Sequence, residues 1–192
     1  VSARLDTIAV RQPSHPIAQE LIRLVGDPLV APSANLSGKP SSTSAQHVLE
    51  DFSGKIAAVI EGGSAQIGIE STVLSLVEEP TLLRLGKITQ EELEAVLGRK
   101  IFKASAHTPV ASPGMKYRHY APLAKVLLFP TLEALYAFKD PAKKQWVLEA
   151  PTSQNFYGEL RRADLEGCQE VLVLLDPSTS SSLKDRMIRS SS

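Results

Sequence analysis

The densest collection of groups able to hold an anion in this 192-residue chain is the run Ala31-Pro32-Ser33-Ala34-Asn35-Leu36-Ser37-Gly38-Lys39-Pro40-Ser41. Pro32 and Pro40 stiffen its ends, Gly38 permits a positive φ, and Ser33, Asn35, Ser37 and Ser41 offer short donors beside backbone N–H groups. Such a loop suits phosphate or carboxylate oxygens. A helix-preceding turn whose Ser and Asn cap backbone groups has the same composition, so pattern alone leaves both readings open. Arg11 ends the apolar run that begins at Thr7, where a guanidinium either grips a carboxylate through two parallel N–H bonds or faces water. Arg84, inside Leu82-Leu83-Arg84-Leu85, either snorkels outward or enters a cleft as an anion clamp. Gly62-Gly63 and Gly68-Ile69-Glu70-Ser71-Thr72 flank a loop that reads as a hairpin connection or as a backbone cradle. Tyr117, Arg118, His119 and Tyr120 place ring faces beside cations, a pattern that covers a nucleotide or anchors an aromatic pair in a core.

Other chemistries lack their parts. The loop from Gly62 to Gly68 has no Lys-Ser/Thr ending, so it is not a phosphate-binding Walker loop, and Gly-x-Ser-x-Gly, His-Glu-x-x-His and Gly-x-Gly-x-x-Gly do not occur. The single Cys168 cannot form an intrachain disulfide. With no Cys-x-x-Cys pair or His cluster, no metal site is expected, and a reducing cytoplasm is the expected location. Lys+Arg and Asp+Glu both number 21, so there is no overall basic field and any nucleic-acid contact must be local. Apolar runs are strand-sized, far short of the roughly 20 residues of a membrane helix.

The elements that must position these groups follow from caps and periodicity. Pro16 and Gly26 bracket a helix with Ile17, Leu21 and Leu24 on one face. Thr43-Ser44-Ala45-Gln46 reads as a capping box for a helix through Phe52, stopped by Gly54. Strands are expected at 7–11, 56–60, 72–77 and 81–85, before Thr89 caps a helix ending at Gly98. Residues 101–126 carry four basic and no acidic side chains, three prolines and a Gly, and so read as an irregular basic linker. Beyond it, strands at 126–129, 146–148 and 171–175 alternate with helices at 132–138, 156–165 and 182–188, the order of a parallel sheet covered by helices. The expectation is an α/β chain: residues 1–103 in a twisted mixed-sheet unit, 104–122 as a linker or lid, and 123–192 as a small Rossmann-like domain.

The ordered series APSANLSGKPSST, IEGG, GIESTVLSL, LLRLGKIT and SPGMKYRHYAPLA resembles the YrdC-like family of threonylcarbamoyl-adenylate synthases, in its longer form with a linker and an extra C-terminal domain. The resemblance is strongest from Leu5 to Pro122 and weaker beyond. It implies an enzyme that joins L-threonine, bicarbonate and ATP into threonylcarbamoyl-AMP with release of pyrophosphate. ATP is then a substrate and brings Mg2+ with it. The product feeds a downstream transferase machinery that modifies tRNA, and a double-stranded RNA or tRNA contact belongs to the same expectation. Position by position, the resemblance implies that Thr7, Ser33, Ser41 and Arg84 bind the nucleotide, joined by Tyr117 or Tyr120 from the linker. It implies that Arg11, Ala31 and Thr72 hold threonine, with Asn35 and Ser71 as additional candidates and no protein nucleophile. Family members carry a substantial portion before the equivalent of Arg4, with a Pro-Thr-rich stretch and a Lys/Arg motif that this sequence does not contain. The 192 residues alone are therefore expected to be inactive. The runner-up is a non-catalytic nucleotide- or RNA-binding module that retains the Ser-rich loop.

Overall fold

Two three-stranded sheets, each with its own helices, account for most of the regular structure in residues 6–104 and 120–191, the residues described in the computed structural model. In the first unit, helix α1 (Pro16–Val25) begins at a proline and ends at Gly26 with φ +75°, as the sequence predicts. Helix α2 (Ala45–Phe52) differs at its start. Ser44, not Thr43, is the N-cap and accepts from the His47 N–H, while the Thr43 N–H donates to the His47 ring, so the expected box with Gln46 does not form. Strands β1 (Val73–Ser75) and β2 (Thr81–Arg84) pair antiparallel with an irregularity between Val73 and Leu74. Helix α3 (Gln90–Leu97) opens with the reciprocal Thr89–Glu92 capping box and closes at Gly98. A short strand, β3 (Phe102–Lys103), then joins β2 in parallel, where the sequence suggested only the start of a linker.

Two expected strands do not form. Residues 7–11 and 56–60 run irregularly, with Ile8, Val10, Ile56 and Ile60 between 44% and 87% exposed. A strand is stabilised by a neighbour that pairs its backbone and covers its apolar face, and the described residues give these two runs neither. For the same reason α1 buries none of its residues although Ile17, Leu21 and Leu24 share one face.

The second unit follows its sequence closely: β4 (Lys125–Phe129), α4 (Leu132–Phe138), β5 (Gln145–Leu148), α5 (Phe156–Leu165), β6 (Glu170–Leu174) and α6 (Ser181–Ser191). All strand pairs are parallel, in the order β4-β6-β5, so the last strand lies in the middle. This position explains why Val171, Leu172 and Val173 are fully buried. Phe156, Tyr157, Leu160 and Ala163 of α5 join Leu183 and Met187 of α6 in the core. The chain enters β4 through Leu123 and Ala124, whose N–H groups donate to the Asp164 carboxylate.

The two units touch along a polar seam. A Cβ at Gly68 would overlap the backbone of Ser153 and Gln154, so a glycine is needed for the first unit to approach the second this closely. The Gln154 amide donates to the Gln66 carbonyl at 2.7 Å across the same contact.

Candidate functional site

Arg11 and Arg84, which are 73 positions apart in sequence, both reach Ser71. The Arg11 Nη2 donates to Ser71 Oγ at 3.1 Å, and Arg84 donates from Nε to the Ser71 carbonyl at 3.0 Å and from Nη2 to Oγ at 3.5 Å. Gly86 permits this meeting: a Cβ there would overlap the backbone of Ser71 and Thr72. Thr72 turns its hydroxyl the other way, donating to the Ile88 carbonyl at 2.6 Å. Burial lowers the pKa of Arg84 from its ordinary value; Tyr120 and Glu70 oppose this, and the positive charges of Arg186 and Arg11 add to it. A guanidinium remains charged through such a shift, so Arg11 and Arg84 present two cations side by side at Ser71.

The carboxylate beside this pair is Glu70. One oxygen accepts from Ser41 Oγ, and the other accepts from Arg186 Nε at 2.8 Å and from the Tyr157 hydroxyl at 3.0 Å. Burial pushes Glu70 up, but the bonds from Ser41 and Arg186 outweigh it and hold the group below the usual carboxylate range. Ser41 therefore commits its proton to Glu70 and presents lone pairs to anything that enters beside it.

The Ser-rich loop is more internally bonded than its composition suggested. Asn35 donates to the Leu36 and Lys39 carbonyls, and Ser42 donates to the Ala34 carbonyl at 2.6 Å. Thus Asn35 holds the turn, as in the capping reading, while Ser33 and Ser37 keep exposed hydroxyls. Ala31 and Thr7 are exposed as well. Tyr120 lies in the second unit's core, 8% exposed and with φ +64°. Its ring sits 5.5 Å from that of Tyr157 and under the Arg186 guanidinium. The next residue, Ala121, donates its N–H to the Gly38 carbonyl, tying the end of the linker to the Ser-rich loop. Tyr117 and its neighbours Lys116, Arg118 and His119 lie outside the described residues.

A second buried polar cluster supports the same loop from behind. Arg161 of α5 donates to the Pro40 carbonyl at 3.0 Å, to Ser42 Oγ at 3.3 Å and to the Asp51 carboxylate at 2.7 Å. Asp51 also accepts the Leu36 N–H at 3.1 Å and faces Lys39. Burial alone would raise the Asp51 pKa, yet the bonds from Arg161, Leu36 and Lys39 lower it to about 2.

Sequence reasoning missed Glu70, Asp51, Tyr157, Arg161 and Arg186 as members of this arrangement. The available signal was an arginine set in the apolar stripe of an amphipathic helix: Arg161 lies among Tyr157 and Leu160, and Arg186 beside Leu183 and Met187. Among the described residues no group of three or more His, Cys, Asp or Glu side chains is arranged to hold a metal ion, and no helix is long and apolar enough to cross a membrane.

Comparison with known proteins bears on both units. Residues 1–86 match the family described as "Telomere recombination", and residues 88–192 match "Threonylcarbamoyl-AMP synthase, C-terminal domain". The chain is similar to the threonylcarbamoyl-AMP synthase of Pyrococcus abyssi, with 48% identity over 163 residues, covering 77% of this chain and 48% of that protein. It is 52% identical over 133 residues to the Bacillus subtilis protein of the same name, covering 67% of this chain and 38% of the relative. The crystal structure of P. abyssi Sua5 complexed with L-threonine superposes with a TM-score of 0.84 at 38% identity, over 97% of this chain and 64% of that one. The chain thus spans about half the length, or less, of these curated relatives.

Proposed function

Because this chain belongs to the threonylcarbamoyl-AMP synthase family, we propose that it carries part of the site at which L-threonine, bicarbonate and ATP become threonylcarbamoyl-AMP and pyrophosphate. The observation that carries the proposal is the convergence of Arg11 and Arg84 on Ser71, which places two cationic forks side by side. One such fork suits an amino-acid carboxylate and the other a phosphate, as a reaction between an amino acid and a nucleotide requires. In this reading Arg11, Ala31 and Thr72 hold threonine. Thr7, Ser33, Ser41 and Arg84 hold the nucleotide, with Tyr117 reaching it from the linker, Asn35 and Ser71 as additional contacts, and Tyr120, buried in the second unit's core, packed against Arg186 instead of extending from the linker.

The chemistry is positioning and charge stabilisation. The threonine amine takes up bicarbonate as a carbamate with loss of water. A carbamate oxygen then forms a bond to the α-phosphorus while the bond to the β,γ-pyrophosphate breaks. Arg84 stabilises charge that builds on the phosphate oxygens, and Arg11 fixes the direction from which the carbamate approaches. The enzyme is a nucleotidyltransferase in this reading. The nucleotide would carry magnesium on its phosphates, where the ion would offset their charge. The product goes to a transferase that acts on tRNA, in the cytoplasm.

Pyrophosphate release by the natural chain that carries these residues tests the proposal. Release is expected only when ATP, threonine and bicarbonate are all present, and far less from residues 1–192 alone. Equal release without threonine would overturn it. ATP retention with no turnover in the natural chain would favour a binding module instead.

A further inference from the structure

Arg186 is fully buried and stands on α6, the helix of the second unit farthest along the chain from the residues it touches. Its guanidinium divides three ways. Nε donates to Glu70 at 2.8 Å, Nη2 donates to the Leu85 carbonyl at 2.8 Å, and Nη1 donates to its neighbour Asp185 at 2.6 Å. The first two acceptors are next in sequence to the two residues that meet in the candidate site. Glu70 precedes Ser71, and Leu85 follows Arg84. Glu70 also accepts the Ser41 hydroxyl proton. One planar, rigid fork therefore spans the segment with Ser71 and the strand with Arg84, and it reaches the Ser-rich loop through a single carboxylate.

A bulky cation in a protein core is costly unless fully paired, and an apolar side chain of similar volume would serve packing alone at least as well. The partners here are not scattered. Glu70 and Leu85 each lead directly to a residue placed in the substrate site, while within the second unit the guanidinium meets only its neighbour Asp185 and the Tyr120 ring among the contacts described.

We infer that Arg186 is a positioning residue for that site. Through Glu70 it fixes the direction of the Ser41 hydroxyl, and through the Leu85 carbonyl it fixes the placement of Arg84, so the second unit sets the nucleotide's binding geometry without touching the nucleotide. The inference rests on the assignment of Ser41 and Arg84 to nucleotide binding made above. Arg11 bonds Ser71, one residue beyond Glu70, and is not itself bonded to Arg186, so the threonine side should feel the loss of Arg186 less than the nucleotide side, where Ser41 and Arg84 are both reached through its direct acceptors.

The test uses Arg186→Met and Arg186→Lys in the natural chain that carries these residues, well below the unfolding temperature of each. KM for ATP is expected to rise tenfold or more in Arg186→Met and less in Arg186→Lys, whose ammonium can still reach one acceptor. KM for threonine should rise by a clearly smaller factor than KM for ATP. Hydrogen exchange without ligand should quicken at residues 41–42 and 84–86 while β4, β5 and β6 keep their protection. If Arg186→Met does not fold, Arg186→Lys carries the same comparison. A fall in kcat proportional to the folded fraction, with both KM values unmoved, would make Arg186 a structural anchor only and overturn the inference. Wild-type protein that retains no ATP would overturn the proposed function, and this inference with it.

Discussion

Arg161 and Asp51 lie 110 positions apart and meet at 2.7 Å, with the arginine 5% and the aspartate 2% exposed. This contact joins α5 of the second unit to α2 of the first, and both partners also bond to the Ser-rich loop, through the Pro40 carbonyl and the Leu36 N–H. Removing one partner of a buried pair leaves a charge without compensation. Arg161→Met is therefore expected to cost about 3–5 kcal/mol, read from denaturant midpoints at constant slope. Replacing both, as Asp51→Leu with Arg161→Met, should cost less than the sum of the single changes.

Acid should weaken the same seam. The folded Asp51 titrates at about 2 against an ordinary value of 3.8, and Glu70 is also held low. For a lowered carboxylate the stabilisation is fully present above the ordinary value and disappears as pH falls through the folded one. For Asp51 this amounts to about 2 kcal/mol, lost between pH 4 and 2. Urea unfolding at pH 6, 4 and 3 should show stability falling more steeply for the wild type than for Asp51→Asn. Parallel curves would assign the acid limb to other groups.

Gly86→Ala places a methyl group against the backbone of Ser71 and Thr72. The strand bearing Arg84 must then move away from the segment bearing Ser71, at a cost of about 1–3 kcal/mol. Calorimetry on the natural chain should find both threonine and ATP bound more weakly. A loss of stability with both affinities intact would show that the two segments shift together.

Arg11→Ala and Ser33→Ala separate the two halves of the proposed site. The first should weaken threonine binding by about 2–3 kcal/mol, the scale of a lost charged hydrogen bond, and the second should act mainly on ATP by about 1 kcal/mol. Threonine affinity unchanged in Arg11→Ala would remove the carboxylate role from that residue.

Local rules carried the sequence reading where an element is self-sufficient. The bounds of α4 and α5 follow from their own residues, and the Thr89–Glu92 box forms as the pattern predicts. The runs at 7–11 and 56–60 have strand composition, but a ladder needs a partner and no property of Ile8 or Ile60 supplies one. The Arg11–Arg84 pair was readable as two separate candidates, while their convergence depends on Gly86 and on the fold between them. In the Ser-rich loop Asn35 holds the turn, as the capping reading has it, while Ser33 is exposed. Glu70 lay inside a recognised motif yet drew no attention, because its importance comes from Arg186, over a hundred residues away.

The central place of β6 has a consequence for how the chain is made. Among the described residues β4 and β5 pair only with β6, and not with each other. On the ribosome both outer strands emerge before their shared partner, so each waits with two open edges until Glu170–Leu174 follows. A nascent chain stalled before Glu170 presents Val126 and Leu148, both buried once the sheet closes, to any other unpaired strand nearby. Synonymous changes that slow translation between Leu148 and Glu170 should therefore lengthen this interval and raise the aggregated fraction without altering one residue of the protein.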